Sequence, residues 1–266
     1  ATTLHDTRLY TTGSCTNHGI EKMTVRLSRI HTSRPLSSLE EVELTGSASH
    51  YLTRVLRLKE GDSIILFDGD GSDYSGEVRE IRRQRVLVRL IGSQPAGNES
   101  ALEITLVQAV SRGERMDYSL QKATELGVKC IQPVLSSRVG VRLKEDRMHK
   151  RLAHWQGVVV SACEQSGRAV VPEVKQPVSL ADWLSADDRS LRLVLDPSAV
   201  QKLSAISPTG NAISILVGPE GGLSAAEMEE VILRGVTAVS LGPRVLRTET
   251  AGPAAVSVLQ AIAGDF

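Results

Sequence analysis

Two apolar strands near the C-terminal end, each running into a glycine–proline loop, constrain this chain most. Ile213–Val217 ends in Gly218-Pro219-Glu220-Gly221-Gly222, and Val239–Leu241 ends in Gly242-Pro243. Glycine lets a backbone take positive φ or approach a ligand closely. In an open α/β sheet, ligands bind at the carboxyl ends of strands. Two such loops close together predict one small-molecule pocket with largely backbone walls. The segment between them reads as a helix. Ser224 and Glu227 have capping-box spacing, Leu223 and Met228 suit a hydrophobic staple, and Gly235 falls where a C′ glycine belongs. The first loop therefore joins a strand to a helix.

Taken alone, Gly-Pro-Glu-Gly-Gly reads equally well as a structural turn. It lacks the Gly-Lys-Ser/Thr ending of a phosphate loop, and no G-x-G-x-x-G follows a strand. The second loop shifts the balance. Leu246-Arg247-Thr248-Glu249-Thr250-Ala251 is a charged, hydroxyl-rich run between a strand and an apolar helix predicted over Ala254–Ala263. A binding site belongs in such a position.

A chain of 266 residues makes one large or two small domains. Aromatic residues are only 3%, so the core must be built from Leu, Ile, Val and Ala. The formal net charge is zero, so contact with a nucleic acid must come from local basic patches. Cys15, Cys130 and Cys163 show neither CxxC nor metal-ligand spacing, which fits a reducing cytoplasm without a disulfide framework. No apolar run reaches membrane-spanning length.

Residues 1–22 are polar and aperiodic, without the apolar stretch of a signal peptide, and read as a disordered leader or tag. His5, Cys15 and His18 lack regular metal-ligand spacing. Residues 23–92 read as a small β-rich domain, a barrel by its short strands and close turn signals. Strands are predicted at Ser63–Phe67, Tyr74–Ile81 and Arg85–Ile91. A short helix is predicted over His50–Leu58, with Leu52, Val55 and Leu56 inward. The domain carries Arg26, Arg29, Arg54, Arg57, Lys59, Arg79, Arg82, Arg83 and Arg85, balanced in number by acids. Singly these read as solvated surface. As a group they form a candidate phosphate-contacting face.

Residues 93–100 (SQPAGNES) read as a linker. From 101 to 266 strands alternate with helices, which predicts an α/β domain with a mostly parallel sheet. Strands fall at Leu102–Val110, Cys130–Leu135, Leu191–Leu195 and Ile213–Val217. Helices fall at Arg115–Leu126 and about Glu145–Gln165, with Trp155 on the core face of the latter.

Three polar clusters sit near element ends: Ser111–Arg115, with Lys122 and Glu125 on the following helix; Glu164–Arg168; and Arg247–Thr250. A basic residue such as Arg168 offsets the dipole at a helix C-terminus, so capping explains it as well as chemistry does. Glu164 near the same end opposes the dipole. Such local violations are expected at functional sites.

The motifs GPEGG-L-S-x-x-E and LGPRVLRTETA resemble those of the knotted, SPOUT-class methyltransferases. Together with SRGERMDYSLQKATELGV (Ser111–Val128), WQGVVVSACEQSGR (Trp155–Arg168) and Val171–Glu173, they are similar to the bacterial 16S rRNA uridine N3-methyltransferase family. The resemblance runs from about Met23 to the end. It implies a PUA-like RNA-binding barrel followed by a trefoil-knotted domain. It implies S-adenosylmethionine (SAM) as methyl donor and S-adenosylhomocysteine as product; no metal-ligand cluster is visible in the sequence, and the chemistry needs none. The donor pocket would comprise Leu216, Gly218, Glu220, Gly221, Leu241, Gly242, Leu246, Thr250 and Ala251. The target would be N3 of a uridine in the decoding region of 16S rRNA (nucleotide 1498 in the usual rRNA numbering), and the enzyme a cytoplasmic homodimer. Candidate RNA contacts are Arg26, Arg29, Arg54, Arg57, Arg112 and Lys122. The N3 proton must leave, so Glu164 is the candidate base or base orienter, with Arg247 and Arg168 stabilising charge or gripping phosphate. The rival readings are a knotted 2′-O-ribose methyltransferase and a non-catalytic RNA-binding ribosome-assembly protein.

Overall fold

The structure, a computed structural model, describes residues 27–138 and 145–266. Arg26 and the 1–22 segment lie outside the described residues.

The N-terminal part is a five-stranded curled sheet. Its strands are β1 (Arg29–His31), β2 (Glu41–Thr45), β3 (Ser63–Phe67), β4 (Ser72–Arg82) and β5 (Arg85–Pro95), in the order β1-β3-β4-β5-β2. Only β1 and β3 pair in parallel. Register shifts between Ser75 and Gly76 and between Val78 and Glu80 break the long β4–β5 ladder. Irregularities of this kind raise local twist and let so few strands wrap a core. Val86 and Val88 face that core while Arg89 and Ile91 face out, the period-two alternation of a half-buried strand. Helix α1 (Gly46–His50) continues into a π-helical turn, Tyr51–Val55. That turn corrects the predicted inward face. Leu52 is fully buried, but Val55 is 59% exposed, because the wider turn breaks the 3.6-residue spacing that placed it inward. Strand β5 also takes Ser93–Pro95 from the predicted linker.

The C-terminal part is a parallel sheet. The helices and strands are β6 (Glu103–Ala109), α2 (Glu114–Glu125), β7 (Cys130–Leu135), α3 (Glu145–Ser166), β8 (Glu173–Val174), β9 (Val178–Ser179), α4 (Leu180–Ser185), β10 (Leu191–Leu195), β11 (Ala212–Val217), α5 (Ala225–Leu233), β12 (Thr237–Val239) and α6 (Thr248–Ala263). Strand order is β12-β10-β11-β6-β7-β8, with β9 also pairing with β7. The chain moves from β6 to β7 and β8 on one side, then crosses over to build β10, β11 and β12 on the other. This reversal opens a crevice at the carboxyl ends of the strands.

Both faces of this sheet are covered, which explains the nearly continuous apolar strands. Leu106, Ile213 and Ile215 pack with Met116, Leu120, Trp155 and Leu259 from α2, α3 and α6. Val107, Ala109 and Leu216 pack on the opposite face with Trp183, Leu184 and Val231. Each such fully buried aliphatic side chain contributes about 2 kcal/mol. Trp155 is 3% exposed, a core residue as its helical spacing implied.

Candidate functional site

The loops after β11 and β12 meet at the N-terminus of α6. They line a cavity of about 610 Å³ together with Leu195, Asp196 and Pro197 from the end of β10. That size suits a small ligand. Its walls mix apolar side chains (Val217, Leu223, Met228, Val239, Leu241, Leu246, Ala251) with the backbone of Gly218, Gly222 and Gly242. Gly222 and Gly242 have φ of +66° and +126°, so a side chain at either position would strain the loop that carries it. A Cβ on Gly218 would stand 3.3 Å from the backbone nitrogen of Leu223, so a side chain there would push the turn open by a few tenths of an ångström.

Local bonds hold the first loop in shape. Ser224 and Glu227 form the reciprocal capping box that their spacing predicts. The Glu227 carboxylate also accepts from the Ser137 N–H at 2.6 Å. Arg138 Nη1 donates to the Gly221 carbonyl at 2.6 Å, so the segment after β7 clasps the loop from outside.

The second tie runs through α6. Its first residue, Thr248, is 6% exposed. The Thr248 hydroxyl donates to the Gly218 carbonyl at 2.7 Å. It accepts from Gln108 Nε2 at 3.0 Å. One hydroxyl thus joins both glycine loops to the central strand β6. The helix begins at Thr248, not at Ala254 as predicted, and Arg247 is its N-cap. The polar run therefore forms a helix N-terminus at the pocket, whose partial positive charge adds to that of nearby arginines.

Charge at the mouth is mixed. Arg115 Nη1 lies 2.9 Å from Glu220 Oε1, and Arg115 Nε lies 3.9 Å from Glu249. The Arg112 N–H also donates to Glu220 Oε1, at 3.2 Å. Burial pushes the Glu220 carboxyl up, but the N–H groups of Glu220 and Arg112 and the Arg115 guanidinium outweigh it and hold it below the ordinary glutamate range. A carboxyl depressed on folding keeps its tie above the unfolded pKa and loses it as pH falls through the folded pKa. Ligand affinity at this pocket is therefore expected to hold from neutral pH down through the ordinary glutamate range and to fall only below it. Calorimetric titration across that range checks it.

Of the residues predicted to hold a donor, Gly218, Glu220, Leu241, Gly242, Leu246 and Ala251 line the cavity; Leu216, Gly221 and Thr250 do not. Strand parity sets the Leu216 side chain away from the cavity. Its side chain packs under the sheet beside Val231, and its neighbour Val217 faces the pocket. The sequence reasoning did not single out Asp196, Arg115, Thr248 and Glu249 as donor-site residues. Asp196-Pro197 directly follows the apolar run Leu191–Leu195, the same strand-end signal that marked the other two loops.

Arg247 lines the cavity. The other two catalytic candidates do not. Arg168 is 4% exposed. It grips Glu99 through Nε and Nη2 at 3.0 and 2.5 Å and donates Nη1 to the carbonyls of Thr124 and Val128. In this structure the guanidinium bonds within the C-terminal part, away from the cavity. Glu164 accepts from the His31 N–H at 3.1 Å, where α3 meets the N-terminal sheet. Burial pushes its carboxyl up, with the His31 N–H opposing. The Arg29 side chain, a candidate RNA contact, is 8% exposed and pairs with Asp73. Arg54 and Arg57 are exposed, and Arg57 has a φ of +56°. Arg54 lines a cleft with Arg82, Arg83 and Arg85. Arg112 is exposed beside the first loop, and Lys122 is paired with Glu125 at 2.9 Å. Among the described residues, no group of three or more His, Cys, Asp or Glu could hold a metal, and no helix is long and apolar enough to cross a membrane.

Residues 98–260 match the RNA methyltransferase domain family, and residues 44–91 the RNA methyltransferase PUA domain. The ribosomal RNA small subunit methyltransferase E of Buchnera aphidicola is 34% identical, over 92% of this chain and all of that one. The crystal structure of the same-named enzyme from Neisseria gonorrhoeae, bound to S-adenosyl methionine, superposes with a TM-score of 0.84 at 38% identity and covers 91% of this chain and all of the other. A Legionella pneumophila protein solved in complex with the bound cofactor SAM gives 0.87 at 37% identity, with the same coverage. The chain belongs to the ribosomal RNA small subunit methyltransferase E family.

Proposed function

We propose that this protein transfers the methyl group of SAM to N3 of a uridine in the decoding region of 16S rRNA, nucleotide 1498. It is a SAM-dependent rRNA methyltransferase; the single observation that carries this is the two-loop cavity, in a chain 38% identical to an enzyme solved with that donor. The cavity suits the donor chemically. Apolar side chains and loop backbone can flank an adenine, and Asp196, Glu220 and Glu249 offer carboxylates to the cationic end. When bound, the donor supplies an electrophilic methyl on a sulfonium.

The protein's own residues then position and stabilise. Attack by uracil N3 is an in-line displacement, so holding the base is most of the catalysis. The N3 proton passes to solvent water at the cavity mouth, N3 takes the methyl, S-adenosylhomocysteine leaves, and Arg247 at the mouth stabilises the charge that builds on the uracil. Arg244, which also lines the mouth, adds positive charge for the flanking phosphate. Neither arginine has an ion-pair partner among the described residues. The cleft formed by Arg54, Arg82, Arg83 and Arg85 gives the N-terminal domain its RNA-facing charge. The protein acts in the cytoplasm as a homodimer. In support, Val200 and Val245 are 99% and 81% exposed, and an apolar cleft lined by Val200, Leu203 and Pro243 shares Leu241 and Gly242 with the donor cavity.

Small subunits from a strain lacking the modification, incubated with the protein and labelled SAM, test the reading. Label recovered as N3-methyluridine is expected. Label on a ribose 2′-oxygen, or no transfer, overturns it. Arg247→Ala is expected to lower kcat by about 100-fold with donor affinity within about threefold, the pattern of an interaction made in the transition state.

A further inference from the structure

We infer that the joint between the two domains, built from Arg29, Asp73, the Arg168 carbonyl and the Glu164–His31 bond, is a positioning device that fixes the RNA-facing domain against the donor pocket. The inference rests on the function proposed above and adds residues that touch neither RNA nor donor.

Three bonds converge on the end of α3, and a fourth braces one of their donors. Arg29 Nη1 holds Asp73 at 2.5 Å inside the N-terminal domain. Its Nη2 crosses to the Arg168 carbonyl at 3.2 Å. Glu164 Oε1 accepts the His31 N–H at 3.1 Å. Asn98 Nδ2 donates to the Gly167 carbonyl at 2.8 Å. The Arg29 guanidinium also lies 5.1 Å from the Phe67 ring centroid. Phe67 is fully buried, in a small cluster with Cys163 and Ala169.

The end of α3 is itself fixed to the methyltransferase domain. Arg168 donates to the Thr124 carbonyl in the last turn of α2 at 2.8 Å and to the Val128 carbonyl just before β7 at 2.9 Å. Helix α2 carries Arg115, which pairs with Glu220 at the cavity. One rigid path thus runs from β1 to the donor pocket.

Covalently linked domains move relative to one another unless their interface prevents it. An apolar interface would resist separation but tolerate sliding. Directional bonds to a backbone carbonyl and a backbone N–H specify one angle. Buried ion pairs are seldom the most stabilising solution for their volume, and their best-attested use is to set register. The functional consequence follows from effective concentration. Two surfaces that grip one RNA co-operate only as far as the link between them is rigid. A loosened joint therefore weakens capture of a large substrate while leaving the small-molecule pocket and the chemistry intact.

The test uses the full chain carrying Arg29→Lys or Asp73→Asn. A third variant, Arg29→Met/Asp73→Leu, removes both charges together and guards against unfolding by a single buried charge. With SAM saturating, KM for unmodified small subunits is expected to rise about tenfold, while kcat and donor Kd stay within about twofold. Amide exchange gives a second readout. The His31 amide, which donates to Glu164, should exchange at least about tenfold faster, while the Met228 amide beside the donor pocket keeps its rate. A KM unchanged in the folded variants overturns the inference, as does unchanged His31 exchange. A wild type that transfers nothing to small subunits overturns the proposed function instead, and the exchange comparison then decides the joint alone.

Discussion

Thr248→Val is expected to weaken SAM binding by about 10- to 30-fold, which corresponds to about 1.4–2 kcal/mol. The substitution keeps volume and branching, so the first turn of α6 stays packed. It removes the hydroxyl that donates to the Gly218 carbonyl at 2.7 Å and accepts from Gln108 Nε2 at 3.0 Å. Leaving a buried polar group without its partner costs about 1–3 kcal/mol. Gln108 is fully buried, and its Oε1 has no partner among the described residues, so the site has little slack. Part of the cost appears as lost stability and part as loop disorder that the donor must reverse on binding. Calorimetry reads the affinity, and urea denaturation reads the stability. Thr250→Val is the control. Thr250 is exposed, lies one turn position away and does not line the cavity, so its affinity should change by less than about twofold. Equal affinities for wild type and Thr248→Val would mean that the two loops hold their shape independently.

Where the sequence signal was local, it translated directly into structure. The strands Ser63–Phe67, Cys130–Leu135 and Leu191–Leu195 carry the predicted bounds because each is an apolar run closed by turn or charged residues. The capping box at Ser224 was legible because both partners lie within one helical turn. The donor cavity was legible for a related reason: two of its three loops are glycine–proline loops, 24 residues apart. The mistakes share a cause as well. A strand buried on both faces carries no alternation, so nothing in Ile-Ser-Ile-Leu-Val marks Val217 as facing the pocket and Leu216 as facing away. Pro253 concealed the first turns of α6, since proline in a helix interior normally marks a boundary. Arginine is ambiguous in a subtler way. Arg29 and Arg247 look alike in sequence, yet one meets Asp73 and a carbonyl 139 positions away while the other faces the cavity. Only the tertiary fold separates a buried joint from a substrate contact. Motif membership does not, because a residue that sets domain geometry is held as firmly as one that does chemistry.

Arg168→Met draws that distinction experimentally and is expected to cost about 3 kcal/mol of stability, with little change in donor affinity per folded molecule. Methionine keeps most of the stem's packing and deletes the fork. Four hydrogen bonds vanish: two to Glu99 and one each to the carbonyls of Thr124 and Val128. The Thr124 carbonyl is one of the last of α2 and lies where the helix dipole favours a cation, and the Val128 carbonyl belongs to the turn that leads into β7. Glu99 offsets part of the damage, since its side chain is 31% exposed and can recover water. The two carbonyls are the larger loss. A lysine in the same place restores the charge but not the planar fork, so Arg168→Lys should recover less than half of the lost stability. A catalytic Arg168 predicts the reverse pattern: an unmoved urea midpoint and a kcat reduced about 100-fold or more. The Arg168 carbonyl also receives Arg29, and methionine leaves that acceptor in place. The His31 amide should therefore keep its slow exchange in Arg168→Met when folding conditions are strong, and lose it in Asp73→Asn. That contrast separates a residue that holds the methyltransferase domain together from one that orients its neighbour.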